Sequence, residues 1–232
     1  SVYLFREDTQ DVTIIDSKRK TEKIKSSFPS AKAMAVSSQG RIFVAGDSQL
    51  SISDNKGNRL NNFPIPATTT SLAALNDSSI VVAAADSDGL LTVFDEFGKT
   101  TRKIGNLKPL ETQDVAQNRF LNAGKVTVNQ LGDIYYVSTY SPTPTVQKFS
   151  KQGVLLQEFV VEGATVELQL KRANEFLRQR KLGCVGGYFV IRTATVDPIT
   201  GHLWIGINGL SESGAIRQES GVLYEYNSDG EK

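Results

Sequence analysis

KAMAVSSQGRIFVAGDSQLSISDNKGNRLNNFPI, residues 32–65, decides the fold. Four short runs alternate apolar and polar residues: 33–37, 41–45, 50–54 and 59–65. Between them stand Ser38-Gln39-Gly40, then Gly46 to Gln49, then Asp54-Asn55-Lys56-Gly57. Runs of period two, rich in Val, Ile and Phe and bounded by Gly, Asn, Asp and Ser, read as antiparallel strands joined by tight turns. The four strands are termed a to d in chain order.

The same unit recurs on both sides. Upstream, 2–6, 11–16 and 21–26 read as strands b, c and d, with no strand a before them. Their c–d turn, Asp16-Ser17-Lys18-Arg19, keeps the Asp and lacks the Gly. Downstream, strands a to d are expected at 71–75, 80–85, 90–95 and 99–104. They follow again at 125–129, 133–139, 146–150 and 154–161. A last unit has strand a within 188–196, strand b at 202–207 and strand c at 222–227, and strand d would begin where the chain stops. An apolar strand c followed by Asp, Asn or Ser, two residues and Gly recurs at Asp54, Asp95, Ser150 and Asn227.

Four-stranded units repeating at roughly 40 residues predict an all-β chain, a β-propeller of four-stranded antiparallel blades. About five blades are represented, and a six-bladed ring is expected. The chain reads as one propeller domain over 1–232, incomplete at both ends, with a helical insertion at about 163–186. The helix signal is 165–181, where Val166, Leu170, Ala173, Phe176 and Leu177 share one face at helical spacing.

Composition narrows the partners. Lys and Arg number 26 against 25 Asp and Glu, a net charge of +1. A nucleic-acid binder is not expected, since such proteins carry a basic excess on one face. No apolar run approaches the roughly 20 residues that span a bilayer. The single cysteine, Cys184, excludes an intrachain disulfide. Asn76-Asp77-Ser78 matches a glycosylation sequon. The first residues are already strand-like, so an exported protein would be seen here in mature or trimmed form.

Gly40-Arg41-Ile42-Phe43-Val44-Ala45 and Leu91-Thr92-Val93-Phe94-Asp95-Glu96-Phe97-Gly98 resemble the NHL-type repeat. Residues 196–206, VDPITGHLWIG, also resemble the blades of gluconolactonase-like and sensor-domain propellers. The resemblance covers nearly the whole chain except 105–124 and 163–186. It implies a six-bladed propeller and leaves activity open, because this fold hosts binders, lyases and lactonases alike. The compartment it suggests is periplasmic or extracellular, with a cytosolic scaffold as the alternative.

The a–b and c–d turns belong to one end of each blade and are short. The b–c and d–a loops belong to the other end, which carries the long insertions 105–124, 163–186 and 208–221 and the smaller 141–145. Variable loops on a rigid scaffold are where binding residues gather. The b–c loops hold Asp8, Asp11, Asp47, Asp86 and Asp88. Their plain reading is turn formation and solvated charge. Their chemical reading is a hard cation such as Ca²⁺, the one cofactor these carboxylates would admit. Asn208, Glu212 and Arg217 join Asp47, Asp86 and Asp88 as candidate ligand- or partner-binding residues.

The helix at 165–181 reads as a cap on the sheets or as a protein-docking element, with Arg172, Arg178 and Arg180 outward. His202, the only histidine, reads as a surface turn residue, and with one His and one Cys a zinc site of the usual kind is not expected. Trp204, Tyr224 and Tyr226 read as packing between blades. Cys184, within a Gly-rich stretch that lacks a phosphate-gripping Lys-Ser/Thr, reads as a small buried apolar group.

These observations favour a non-catalytic interaction module, a scaffold or accessory subunit that binds a protein partner through the b–c/d–a loop end. The alternatives are a metal-dependent lactonase-like hydrolase, or an extracytoplasmic sensor for a small ligand.

Overall fold

The computed structural model describes residues 2–6, 11–16, 18–25, 30–75, 79–86, 89–109, 114–140, 144–179, 187–210 and 216–232. The repeat folds as its alternation predicts. β1 (Val2–Arg6), β2 (Asp11–Ile15) and β3 (Thr21–Lys25) form a three-stranded sheet. β4 (Ala33–Val36), β5 (Ile42–Ala45), β6 (Gln49–Ser53) and β7 (Arg59–Pro64) form the first four-stranded sheet. β8 (Ser71–Ala74), β9 (Ile80–Asp86), β10 (Gly89–Phe94) and β11 (Thr100–Ile104) form the second.

Helix α1 (Val115–Leu121) precedes β12 (Gly124–Val128), β13 (Ile134–Ser138), β14 (Thr145–Phe149) and β15 (Leu155–Val160), another four-stranded sheet. Helix α2 (Ala164–Gln179) leads to a final three-stranded sheet of β16 (Thr193–Val196), β17 (Leu203–Leu210) and β18 (Ile216–Tyr226). Strand order within every sheet follows the chain, as in a meander. The fold is all-β, of the β-propeller class.

Three findings depart from the sequence expectation. Among the described residues there are five sheets, with no sixth. Among the described residues there are also two helices rather than one. And 208–221 is no simple loop: β17 and β18 continue the hairpin past a bulge between Asn208 and Gly209 to the pair Leu210↔Ile216.

The chain divides into two compact units. Unit 1 comprises Ser1–Ala84 and Thr92–Arg102, and unit 2 comprises Ala85–Leu91 and Lys103–Lys232. Among the described residues unit 1 holds two apolar cores. Val12, Ile24, Ile42 and Val44 join the first sheet to the second. Phe43, Leu50, Ile52 and Phe63 join the second to Leu72, Ile80, Val82 and Phe94. The core of unit 2 joins Tyr135, Val137 and Val146 to Leu203, Ile205, Tyr224 and Tyr226, with Val166 and Ala173 of α2. Period-two alternation puts one set of side chains on each sheet face, so the inner sheets are buried on both. A fully buried Val, Leu or Ile contributes about 1.5–3 kcal/mol, against about 1 kcal/mol for a typical hydrogen bond. Burial therefore dominates, and the turns set the register.

The c–d turn is one device used five times. Asp54 Oδ1 accepts from the backbone N–H of Lys56 (2.9 Å) and Asn58 (2.8 Å). Asp95 does the same for Phe97 and Lys99, Ser150 for Gln152 and Val154, Asn227 for Asp229 and Glu231, and Asp16 for Lys18 and Lys20. A short polar side chain that bonds the backbone two residues on closes such a turn. The fourth residue lies at positive φ: Gly57 (84°), Gly98 (85°), Gly153 (90°) and Gly230 (75°), but Arg19 (61°) in the first sheet.

The glycines also serve packing. A Cβ on Gly57 would strike Ile24, one on Gly98 Phe63, one on Gly153 Ile104 Cγ1 at 2.9 Å, and one on Gly230 Phe159 Cδ1 at 2.7 Å. Each turn thus receives an apolar residue from the outer strand of the preceding sheet.

Candidate functional site

The b–c and d–a ends of unit 2 gather side chains from four separate segments. Asp114 caps α1, its Oδ1 accepting from Ala116 N (2.9 Å) and Gln117 N (3.1 Å). Asn122 ends the helix and is buried. Its amide donates to the carbonyls of Lys108 (3.0 Å) and Asn118 (2.8 Å), and its Oδ1 accepts from Lys108 N (2.8 Å). The Tyr136 hydroxyl donates to the Asn122 carbonyl. Burial of that phenol pushes its pKa up. Lys108, so placed, reaches Glu158 (2.7 Å) and Thr145 Oγ1 (3.1 Å). The hydrogen bond from the Lys108 ammonium holds the Glu158 carboxyl below its usual range, with help from Gln147.

On this support lies an aromatic ledge. Phe120 of α1 packs on Tyr140, and Tyr140 on Phe189, with both centroid separations 4.5 Å and the rings tilted by 44° and 34°. Tyr140 and Phe189 form an antiparallel bridge. Thr139 fastens both chains: its carbonyl accepts from Val190 N (2.9 Å) and Ile191 N (3.2 Å), and its hydroxyl donates to the Ala123 carbonyl (2.9 Å). The Arg192 guanidinium carbon lies 5.7 Å from the Phe189 ring centroid, within cation–π range. Burial raises the Tyr140 phenol to about 12, while the Arg192 charge pulls in the opposite direction. Leu177 of α2 packs against this cluster, whereas Phe189 is 44 % exposed.

α2 itself buries Val166, Gln169 and Ala173 and half-buries Leu170. It leaves Leu168 and Phe176 each 46 % exposed. Arg178 is exposed and Arg172 half-buried, and Arg180 lies outside the described residues. The helix is thus a cap with a second, unpaired apolar side. Helical spacing groups Phe176 with the buried stripe, but the structure turns it outward.

The carboxylate candidates scatter. Asp47, between β5 and β6, pairs with Lys32 at 3.0 Å. Hydrogen bonds from Lys32 and Ser30 hold its carboxyl below the usual range. Asp86, at the end of β9, lies 3.7 Å from Lys103. Asp11 is half-buried at the start of β2. Asp8, Asp88 and Glu212 lie outside the described residues, as do Cys184 and the sequon at Asn76. For Asn208 and Arg217 only the backbone is described: Asn208 pairs with Gly221 and Arg217 with Gly209. Among the described residues no three of His, Cys, Asp and Glu gather as a metal site.

Sequence reading leaves His202 without a partner. Its Nδ1 lies 2.7 Å from Glu225 Oε1 across the last sheet, a pairing visible only once the β17–β18 register is known. Tyr224 and Tyr226 are buried in the unit 2 core, whereas Trp204 is half-buried outside it. The ledge escaped sequence reading too, because its parts come from residues 120, 140 and 189. Only the Asp114 cap, with Gln117 three residues on, marks α1 locally.

No protein-family model and no curated protein sequence matches the chain. Solved structures do match in fold. A Bacteroides fragilis protein assigned to export superposes with a TM-score of 0.57 at 10 % identity, over 97 % of this chain and 65 % of its own. The calcium-binding protein regucalcin from Agrobacterium tumefaciens gives 0.50 at 14 % identity, over 98 % and 67 %. BBS1N, solved in complex with ARL6DN, gives 0.50 at 12 % identity, over 94 % and 60 %. This chain therefore spans about two thirds of the length of these propellers. At such identity the likeness establishes the propeller fold alone. Among the described residues no helix is long and apolar enough to cross a membrane.

Proposed function

We propose that this chain is a non-catalytic interaction module, a scaffold or accessory subunit that holds a protein partner at the loop end of unit 2. The observation that carries the reading is the aromatic ledge. Phe120, Tyr140 and Phe189 are locked by backbone bonds to Thr139, and Phe189 and Arg192 remain exposed at its rim. Rigid aromatics beside an Arg are the residue types that dominate protein interfaces, because they bury large area at low entropic cost. Leu177 of α2 packs against the ledge, and its neighbour Phe176 is 46 % exposed. The repeat is read as NHL-type on Gly40 to Ala45 and Leu91 to Gly98. An extracytoplasmic location is supported by fold likeness to the B. fragilis protein assigned to export.

The test is a gentle isolation with measurement of native mass and identification of whatever co-elutes. We expect a mass above that of one chain, and loss of the partner, with the fold retained by circular dichroism, in the Phe176→Ser, Phe189→Ala, Arg192→Ala variant. A single-chain mass, or a partner retained by the triple variant, overturns the proposal. Calcium added to the same preparation, or removed by chelator, is expected to leave its thermal midpoint unchanged, because lysines neutralise Asp47 and Asp86.

A further inference from the structure

Three separate stretches of chain meet at the aromatic ledge, and each carries an arginine. Arg119 precedes Phe120 of α1, Arg178 follows Leu177 of α2, and Arg192 lies three residues after Phe189. Arg178 and Arg192 are exposed and Arg119 is half-buried. Among the described residues none of the three forms an ion pair with a carboxylate. Lys32, Lys103 and Lys108 differ, since they face Asp47, Asp86 and Glu158 in turn. Acid is scarce on the stretches 114–123, 175–179 and 187–196. Asp114 Oδ1 is engaged by two backbone N–H groups of α1, and the other acid is Glu175, three residues before Arg178.

Arg192 shows what is left open. Its guanidinium carbon stands over the Phe189 ring, 5.7 Å from the centroid. Its backbone N–H donates to the Gly206 carbonyl at 2.8 Å, and among the described residues no acceptor engages the guanidinium. The five N–H donors of a guanidinium lie in its own plane, and that fork matches a carboxylate. Phe189, 44 % exposed, offers apolar surface beside it. The pair therefore presents two demands side by side, an anion for the fork and an apolar side chain for the ring.

We infer that the ledge receives an acidic segment of the partner protein, in which a large apolar side chain lies against Phe189 and a neighbouring Asp or Glu carboxylate pairs with Arg192. Further carboxylates of the segment answer Arg178 and Arg119. The inference rests on the reading of the ledge as a protein-docking surface and adds the chemistry of the partner. Single-stranded nucleic acid also uses aromatics and arginines, but successive bases need successive open rings. Here Tyr140 is 5 % exposed and Phe120 half-buried, so Phe189 alone of the three is open. A net charge of +1 also gives a polyanion little long-range attraction.

The probes are pools of short fluorescent peptides with Leu or Phe at the centre and flanks of Asp/Glu, of Lys/Arg or of Ser/Gly. Fluorescence polarisation is expected to show saturable binding of the acidic pool, weakened by added salt, and none of the basic pool. Arg192→Ala is expected to weaken the acidic pool about tenfold or more, the value of one charge-assisted hydrogen bond. Phe189→Ala is expected to weaken it by a similar factor. Arg192→Glu is expected to reverse the preference toward the basic pool, an outcome that a misfolded variant does not produce. The inference is overturned if no pool binds saturably up to about 1 mM, the weak end of specific binding. It is overturned equally if the neutral or basic pool binds as well as the acidic one. An oligothymidylate that displaces the acidic pool at lower concentration would make the ledge a phosphate-reading surface instead. Association of the peptide-free protein into two chains, abolished by Arg192→Ala, would assign the ledge to a second copy. The two failures read apart: an acidic pool that does not bind, with a partner still lost from the triple variant, removes the acidic chemistry and leaves the docking reading standing. A partner that the triple variant retains removes the docking reading itself.

Discussion

Units 1 and 2 build the same sheets and do different things at the loop ends. In unit 1 the b–c loop at Asp47 is three residues wide, and its carboxylate is answered by Lys32. In unit 2 the connections carry α1, α2 and the Tyr140–Phe189 bridge, and they present aromatic rings. The c–d ends are alike in both units, down to the side-chain oxygen that closes each turn. A repeat scaffold is thus held constant at one end, where register is set, and elaborated at the other.

The largest test of that likeness is at the turn glycines. Gly98→Ala adds a methyl that overlaps the Phe63 ring, at φ 85° where L-residues are strained. We expect a loss of about 3–5 kcal/mol, combining backbone strain with overpacking. Gly153→Ala, in unit 2, meets Ile104 and is expected to cost a similar amount. Denaturant unfolding of both variants checks the comparison. A cost below about 1 kcal/mol at either site, the ordinary mutational average, would break it.

The next effect is confined to unit 2. Asn122 satisfies the C-terminal end of α1 and ties down the 105–109 segment through Lys108. Asn122→Ala leaves buried backbone groups unpaired, which costs about 2–3 kcal/mol. Proteolysis near α1 should become faster while unit 1 keeps its resistance. Uniform sensitisation of both units would contradict the division of roles.

These differences explain what was legible in sequence. The turn oxygen, the turn glycine and the alternation around them are local, and they placed all five sheets, including the three-stranded ones at 2–25 and 193–226. Helix α2 was legible because sixteen residues display several turns of periodicity. Helix α1, at seven residues, shows fewer than two turns, so only its Asp114 cap betrays it. The extended β17–β18 hairpin has no sequence signal because 216–221, IRQESG, does not alternate. The ledge and the His202–Glu225 pair depend on contacts between residues 20 to 49 positions apart, and no spacing within one segment encodes them.

A smaller effect sharpens the ledge itself. Burial keeps the Tyr140 phenol protonated to about 12, whereas an unfolded tyrosine ionises near pH 10. A folded pKa raised above the unfolded one stabilises fully below about pH 10, and that contribution is lost as pH rises toward 12. Tyr136 and Tyr226 shift in the same direction. Tyr140→Phe should therefore flatten, without abolishing, the fall in stability on the alkaline side. Ultraviolet titration should show one fewer late-ionising tyrosine. A Tyr140 that titrates with the exposed population would mean that the ledge is open to water.

The smallest effect concerns the one turn that breaks the pattern. Asp16 closes it with the same two hydrogen bonds, yet its fourth residue is Arg19 at φ 61°. In the other four turns glycine meets two demands, a left-handed backbone and an incoming apolar side chain. Arg19→Gly isolates the first, because its side chain is exposed and removing it opens no core. Relief of the left-handed strain, partly offset by the greater freedom of an unfolded glycine, predicts a gain of about 1 kcal/mol. That gain is several times smaller than the loss expected for Gly98→Ala, and the ratio separates the two demands. If Arg19→Gly changed nothing while Gly98→Ala kept its full cost, packing against the preceding sheet, rather than backbone conformation, would be the reason these turns carry glycine.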